Sequence, residues 1–231
     1  MPDFLQQKTH FDYHSLNAEE CLNMLSEDEI ATLINHKTDI EFKAGETIIK
    51  RGVLVSNILY VNEGLVKLEF VNDNKWSTLT MVHPHSFIGL ICCFAYKNFD
   101  FTATALEKTK VSFIDKDVFE LFIKNNGAFS LALIKHMSSV ANNLFHRITR
   151  LSQKNIEGAL SILLLEFSII YNSTIFTIPA GRKELAEMLG YSKESVINTL
   201  SKFNKEGILN VNDRKIEILD IKKLKQISVL G

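Results

Sequence analysis

The sequence predicts an α+β chain in which an antiparallel β-barrel or jelly roll is followed by one long helix and then by a winged helix-turn-helix. Three observations predict it. From Asp39 to Asp115, short runs rich in Val, Ile, Phe and Thr alternate with turn residues. From Phe129 to Asn155, apolar residues recur at alternating spacings of three and four. Near the C-terminus, GRKELAEMLGYSKESVINTLSKFNKEGIL (181–209) ends one amphipathic stretch and at once begins another.

The N-terminal part, residues 15–36, reads as one or two short helices, with Ser26 opening SEDEIATLI as a capping box closed by Glu29. The β-rich runs DIEFKAGETIIKRG, ILYVNEGLVKLEFVNDNK, STLTMVHPHSFIGL and DFTATALEKTKVSFID follow, punctuated by Gly45, Gly52, Gly64 and an Asn72-Asp73-Asn74 turn. Such spacing points to a jelly roll. The helical period returns after Asp117, and Ile134, Met137, Ala141, Leu144, Ile148 and Leu151 form a heptad seam. A self-pairing dimer helix is expected there. This divides the chain into residues 1–128, a dimerisation helix over 129–155, and a C-terminal domain over 156–231.

In that last domain an apolar helix over 156–172 and a short extended piece, TIFTIPA, precede the two amphipathic stretches. Leu185, Ala186 and Leu189 form the first apolar stripe; Val196, Ile197, Leu200 and Phe203 form the second. Gly190 can end a helix in the left-handed conformation, and Ser192 can cap the next. Taken alone, this could be an ordinary packed helical hairpin. The following ILNVNDRKIEIL reads as two strands joined at Asn212-Asp213-Arg214, which makes the unit a winged helix and favours DNA binding.

Composition narrows the function classes. The net charge is −1, but it is unevenly placed. Residues 1–128 carry 12 Lys and Arg against 18 Asp and Glu, residues 129–155 carry 4 against 0, and residues 181–231 carry 10 against 7. A basic C-terminal part suits a polyanion. The apolar run Ala159–Ile170 is interrupted by Ser161, Glu166 and Ser168 and is too short to span a bilayer, so no membrane association is expected. MPDFLQQKTHFDYH lacks a signal-peptide pattern, which places the protein in the cytoplasm. Cys21, Cys92 and Cys93 cannot supply a four-thiolate site within one chain, and no nucleophile, phosphate-loop or zinc-protease motif is present. Neither a metal centre nor an enzyme is expected.

Barrel, long helix and winged helix in that order resemble the Crp/Fnr family, the transcription regulators typified by the cyclic-AMP receptor protein, over nearly the whole chain. Gly45-Glu46, Gly64 closing YVNEG, Phe87-Ile88-Gly89 and RKELAEMLGYSKESVINTL carry the likeness. The resemblance implies a cyclic-nucleotide-binding-like barrel, a homodimer, and sequence-specific binding to double-stranded DNA with a two-fold symmetric operator. It also implies that RNA polymerase is a partner. The base-reading positions match Lys193, Glu194 and Asn198, and Asn198 stands where much of the family carries Arg. These side chains can pair with guanine, cytosine and adenine edges respectively. Arg182, Lys183, Ser192, Ser195 and Lys202 are the expected backbone contacts.

The effector is a separate matter. The Glu and Arg that hold ribose and cyclic phosphate in nucleotide-binding members are replaced by Leu90 and Phe101, and the adenine-contacting pair on the dimer helix by Leu144-Phe145. Cyclic AMP is therefore not the expected ligand. Cys21 stands alone where the oxygen-sensing branch clusters cysteines. What is left is an apolar pocket of Phe87, Leu90, Phe101, Leu144 and Phe145, which either takes a hydrophobic molecule or haem, or is filled by its own side chains. No cofactor is named, and none of His83, His85, His136 and His146 is singled out as a haem ligand. Cys92-Cys93 offers a redox alternative, since a vicinal disulfide is strained and labile; two small buried side chains are the plainer reading. A ligand-binding module without DNA function is the remaining alternative. Any two-state element is expected at the hinge, Gln153 to Gly158.

Overall fold

The structure, a computed structural model, describes residues 18–72 and 75–231. The expected turn residues Asp73 and Asn74, and the stretch MPDFLQQKTHFDYH, lie outside the described residues. Helices α1 (Glu19–Leu22) and α2 (Glu27–Asn35) come first. The capping box opens α2: Glu29 N–H donates to Ser26 Oγ at 3.3 Å, and Ser26 N–H donates to Glu29 Oε2 at 2.8 Å.

The barrel comprises β1 (Lys37–Phe42), β2 (Thr47–Ile49), β3 (Asn57–Glu63), β4 (Val66–Asn72), β5 (Lys75–Val82), β6 (Ser86–Ile88), then helix α3 (Leu90–Ala95), then β7 (Thr102–Ala105) and β8 (Thr109–Asp115). These strands pair antiparallel in two four-stranded sheets, ordered β1-β8-β3-β6 and β2-β7-β4-β5. Leu59, Val61 and Val111 from one sheet share a core with Ile49, Ala103 and Ala105 from the other, which is the jelly-roll arrangement. The β3–β4 connection turns at Gly64 with φ 86°, and a Cβ there would lie 2.5 Å from the Lys108 carbonyl oxygen. Only glycine meets both conditions.

Helix α4 (Lys116–Asn125) is capped by Asp115, whose carboxylate accepts from the Asp117 and Val118 N–H groups. The long helix α5 (Gly127–Ser152) follows. Its first turns belong to the barrel, with Phe129 packed edge-on against Phe119 and Phe122. From Leu131 onward the helix presents an exposed stripe that keeps Ile134, Ala141 and Ile148 of the expected seam but not Met137, Leu144 and Leu151. Leu131, Ile134, Ala141, Phe145 and Ile148 face outward, with exposed Ser138 in register between them. Met137 packs on the barrel core and Leu151 on the C-terminal core, while Leu144 is half-buried. At about 100° per residue, the outward stripe is turned by roughly 60° from the Ile134–Leu151 seam.

The C-terminal domain runs α6 (Ile156–Ile170), β9 (Ile175–Thr177), α7 (Arg182–Leu189), α8 (Lys193–Lys205), β10 (Leu209–Asn212), β11 (Lys215–Ile218) and α9 (Ile221–Leu230). The wing is three-stranded, ordered β10-β11-β9, because TIFTIPA contributes its extended piece as β9. Among the described residues, no helix is long and apolar enough to cross a membrane.

This domain is seated on the barrel. Leu65, Met81 and Leu106 join the same core as Phe167, Leu185, Leu200 and Phe203. Tyr171 Oη donates to Glu107 Oε2 at 2.9 Å. Lys67 of β4, its side chain 8% exposed, is held by Glu69 at 2.9 Å and reaches Glu184 of α7 at 3.8 Å. Gly64→Ala, at the turn that leads into this contact surface, is expected to destabilise the protein by about 2–4 kcal/mol in urea unfolding, from left-handed strain and overpacking together.

Candidate nucleic-acid interface

Two local devices shape the helix pair. Gly190 ends α7 in the left-handed conformation at φ 73°. Ser192 then caps α8, its Oγ accepting from Ser195 N–H at 3.1 Å. At the start of α7, Glu184 accepts from Gly181 N–H at 2.8 Å. The inner face of α8 (Val196, Leu200 and Phe203) is buried against the domain core, and Thr199 beside it donates to the Ser195 carbonyl at 2.8 Å. Lys193, Glu194 and Asn198 all fall on the exposed side.

Ile197 departs from the apolar stripe drawn for α8. It is 39% exposed, beside Asn198 rather than in the core, because its position lies on the flank between the buried and outward rows. Ser201 and Lys205 continue the outward row of Glu194 and Asn198, about one and two turns beyond Asn198. A groove of about 320 Å³ runs between α8 and the wing, lined in part by Arg182, Ile197, Ser201, Lys205 and Val211. The i+3/i+4 spacing from Glu194 could have revealed Ser201 and Lys205.

The expected backbone contacts have unequal freedom. Lys183 is exposed, with Glu187 3.8 Å away. Ser192 and Ser195 are engaged with each other, Oγ to Oγ at 2.9 Å. Lys202 is bound to Glu157 of α6 at 2.5 Å, and this carboxylate raises its pKa. Arg182 turns to the wing, where its Nη2 donates to the Asp213 carbonyl; burial lowers its pKa. Its Nη1 is buried without a hydrogen-bond partner. Arg214 comes to the same place, its Nη2 lying 3.8 Å from where a side chain on Gly181 would begin. Wing-tip cations and the start of α7 therefore form one positive edge beside α8. The chain order hid this edge, because it joins residues more than one helix apart.

The residues expected to form an effector pocket are not all brought together. Phe87, Leu90 and Phe101 lie in the barrel core. Phe87 meets Tyr60, Phe119 and His136 edge-on, whereas Phe101 packs on Phe70 and Phe99. Phe145 departs from the pocket: it is 67% exposed on α5, where the helix has already left the barrel. Cys92 and Cys93 are buried on α3, and burial pushes the Cys92 thiol up to about 11 and raises that of Cys93. Cys92 Sγ donates to Asp100 Oδ1 at 3.1 Å. Such thiols are poor nucleophiles. Among the described residues, no group of three or more His, Cys, Asp or Glu is placed to hold a metal ion.

Most of the chain is similar to known proteins. A model of the Crp-like helix-turn-helix domain matches residues 159–227, and a model of the cyclic nucleotide-binding domain matches residues 39–126. The chain is 26% identical over 196 residues to the transcriptional regulator SdrP of Thermus thermophilus, covering 82% of this chain and 93% of that one. It is 24% identical over 205 residues to the transcriptional activator protein FnrA of Stutzerimonas stutzeri, covering 86% and 83%. The solved structure of FixK2 from Bradyrhizobium japonicum has the same fold, with a TM-score of 0.71 at 20% identity over 84% of this chain and 98% of that one. A CRP/FNR-family transcriptional regulator from Thermus thermophilus gives 0.66 at 25% identity over 83% and 98%.

One feature of the barrel has a direct pH signature. His136 of α5 is buried, its Nδ1 has no hydrogen-bond partner, and burial lowers its pKa, as it does for nearby His83. The unfolded chain, with histidines near 6.5, then binds more protons than the folded one. The associated stability is complete above pH 6.5 and is lost as pH falls below it. Thermal midpoints measured from pH 7.5 to 5 are expected to decline, and His136→Phe is expected to flatten part of that decline.

Proposed function

This chain belongs to the Crp/Fnr family and is a DNA-binding transcription regulator, and from that premise we propose that it acts as a homodimer on a two-fold symmetric operator. The observation that carries the reading is the outward row of α8, where Lys193, Glu194 and Asn198 lie exposed on a helix whose opposite face is buried. A rigid helix with polar ends projecting from one side is what the major groove admits. Lys193 donates to guanine N7 and O6, Glu194 accepts from the cytosine amino group, and Asn198 pairs with adenine. Lys183, Ser192 and Ser195, with wing residues Arg214 and Lys215, hold the phosphates on either side, and Arg182 joins them only by leaving the Asp213 carbonyl. Lys202 joins them only by leaving Glu157.

The outward stripe of α5 supports the dimer, since Leu131, Ile134, Ala141, Phe145 and Ile148 form an apolar surface at heptad spacing on an acid-free helix. To read two half-sites one turn of DNA apart, a dimer paired along it must hold its two copies of α8 about 34 Å apart. The effector is not cyclic AMP in this reading: Leu90 and Phe101, both buried, occupy the positions of the two charged nucleotide contacts. A buried phosphate there would have no guanidinium to pair with. The raised thiol pKa values speak against a thiol sensor. The regulator works in the cytoplasm and meets RNA polymerase at the promoters it binds.

Selection of bound fragments from random duplex DNA tests the reading, with and without metabolite extract. A two-fold symmetric motif is the expected result, and no enrichment in either condition would overturn it. Glu194→Ala is expected to cost about tenfold in discrimination at one base pair of each half-site while leaving the salt slope of non-specific binding unchanged. Phe145→Glu is expected to convert the dimer to a monomer in sedimentation and to weaken operator binding by about 100-fold.

A further inference from the structure

We infer that Arg147 and Glu166 form a positioning pair that sets which spacing between half-sites the dimer accepts. The inference rests on the operator reading above. Arg147 lies near the end of α5 and Glu166 in the middle of α6. Nε meets Oε1 at 3.2 Å and Nη2 meets Oε2 at 3.4 Å, a two-pronged contact between side chains 5% and 4% exposed.

The surroundings make this contact conspicuous. Residues 129–155 contain no acid, so a buried Arg147 must find its counter-charge on another element. Helix α6 has two acids, Glu157 and Glu166, and each is engaged across a helix boundary: Glu166 with α5 and Glu157 with Lys202 of α8. The dimer helix and the recognition helix are thus both tied to one rod. The hinge segment itself is fastened to the winged helix: Tyr191 Oη donates to the Lys154 carbonyl at 2.6 Å, Lys154 Nζ to the Val229 carbonyl, and Gly158 N–H to the Asn155 side chain at 3.0 Å. Rotation between dimer helix and winged helix is therefore concentrated at the end of α5, and Arg147–Glu166 spans that point.

A buried ion pair gives little net stability compared with apolar residues of equal volume, but it tolerates only one geometry, since displacement strands a charge away from water. Without it, the angle of α6 to α5 rests on the seat against the barrel, mostly non-directional apolar contact from Leu65, Met81 and Leu106. One base pair changes half-site separation by about 3.4 Å along the duplex and turns it by about 35°.

The test compares wild type with the charge-free double variant Arg147→Met/Glu166→Leu on operators whose central spacing is lengthened or shortened by one base pair. Wild type is expected to lose about tenfold or more on each altered spacing and the double variant less than about threefold, with the double variant equal in thermal midpoint, dimerisation and non-specific binding. A folded double variant that keeps the wild-type spacing preference overturns the inference. Should that variant not fold, Glu166→Gln is scored by the same spacing profile, a flattened profile supporting the pair and an unchanged one overturning it. The wild-type arm separates the two readings: absence of any two-fold motif there overturns the operator reading itself.

Discussion

The outward chemistry of α8 depends on the apolar contact beneath it. Val196, Leu200 and Phe203 are buried together with Leu185 and Leu189 of α7 and Leu160, Leu163 and Leu164 of α6. Each of these larger side chains contributes about 1.5–3 kcal/mol by leaving water. That sum overcomes the entropy of holding a 13-residue helix that could not stand alone in water. The backbone that carries Lys193, Glu194 and Asn198 is thereby a fixed frame, and the cost of ordering it is met in folding.

The polar contacts have a different task. Capping by Ser192 and Glu184 places each helix start, and Arg182 fastens the start of α7 to the wing turn. Exposed pairs such as Lys183–Glu187 contribute little energy. Their number does not explain stability. Their placement at element ends explains orientation, which non-directional burial alone cannot specify.

Legibility followed the range of the interaction. The helix-turn-helix could be read because Gly190 and Ser192 act within one turn of themselves, and the capping box of Ser26 and Glu29 for the same reason. Helix α3 was hidden because LICCFA is a short apolar run that reads equally well as a strand. Helix α9 follows Asp220, a cap in plain view, but its mixed Lys and apolar residues resemble any chain end. The heptad on α5 admitted two neighbouring stripes, and the less hydrophobic one, through Ser138 and Ala141, faces outward. The barrel attracts Met137 and the C-terminal core attracts Leu151, and neither pull is visible within the helix itself. The family resemblance places Phe145 in a pocket, whereas the direction of its helix carries it away from the barrel.

The seat of the winged helix on the barrel limits how modular this architecture can be. Lys67 sends a buried ammonium toward the same Glu184 that caps α7, and Leu65, Met81 and Leu106 of the barrel are buried in the C-terminal core. Severing the chain at the hinge would leave a lysine without its second carboxylate and expose an apolar patch on each fragment. A barrel transplanted onto this winged helix would therefore have to bring a matching lysine and a matching apolar footprint, not merely a compatible linker.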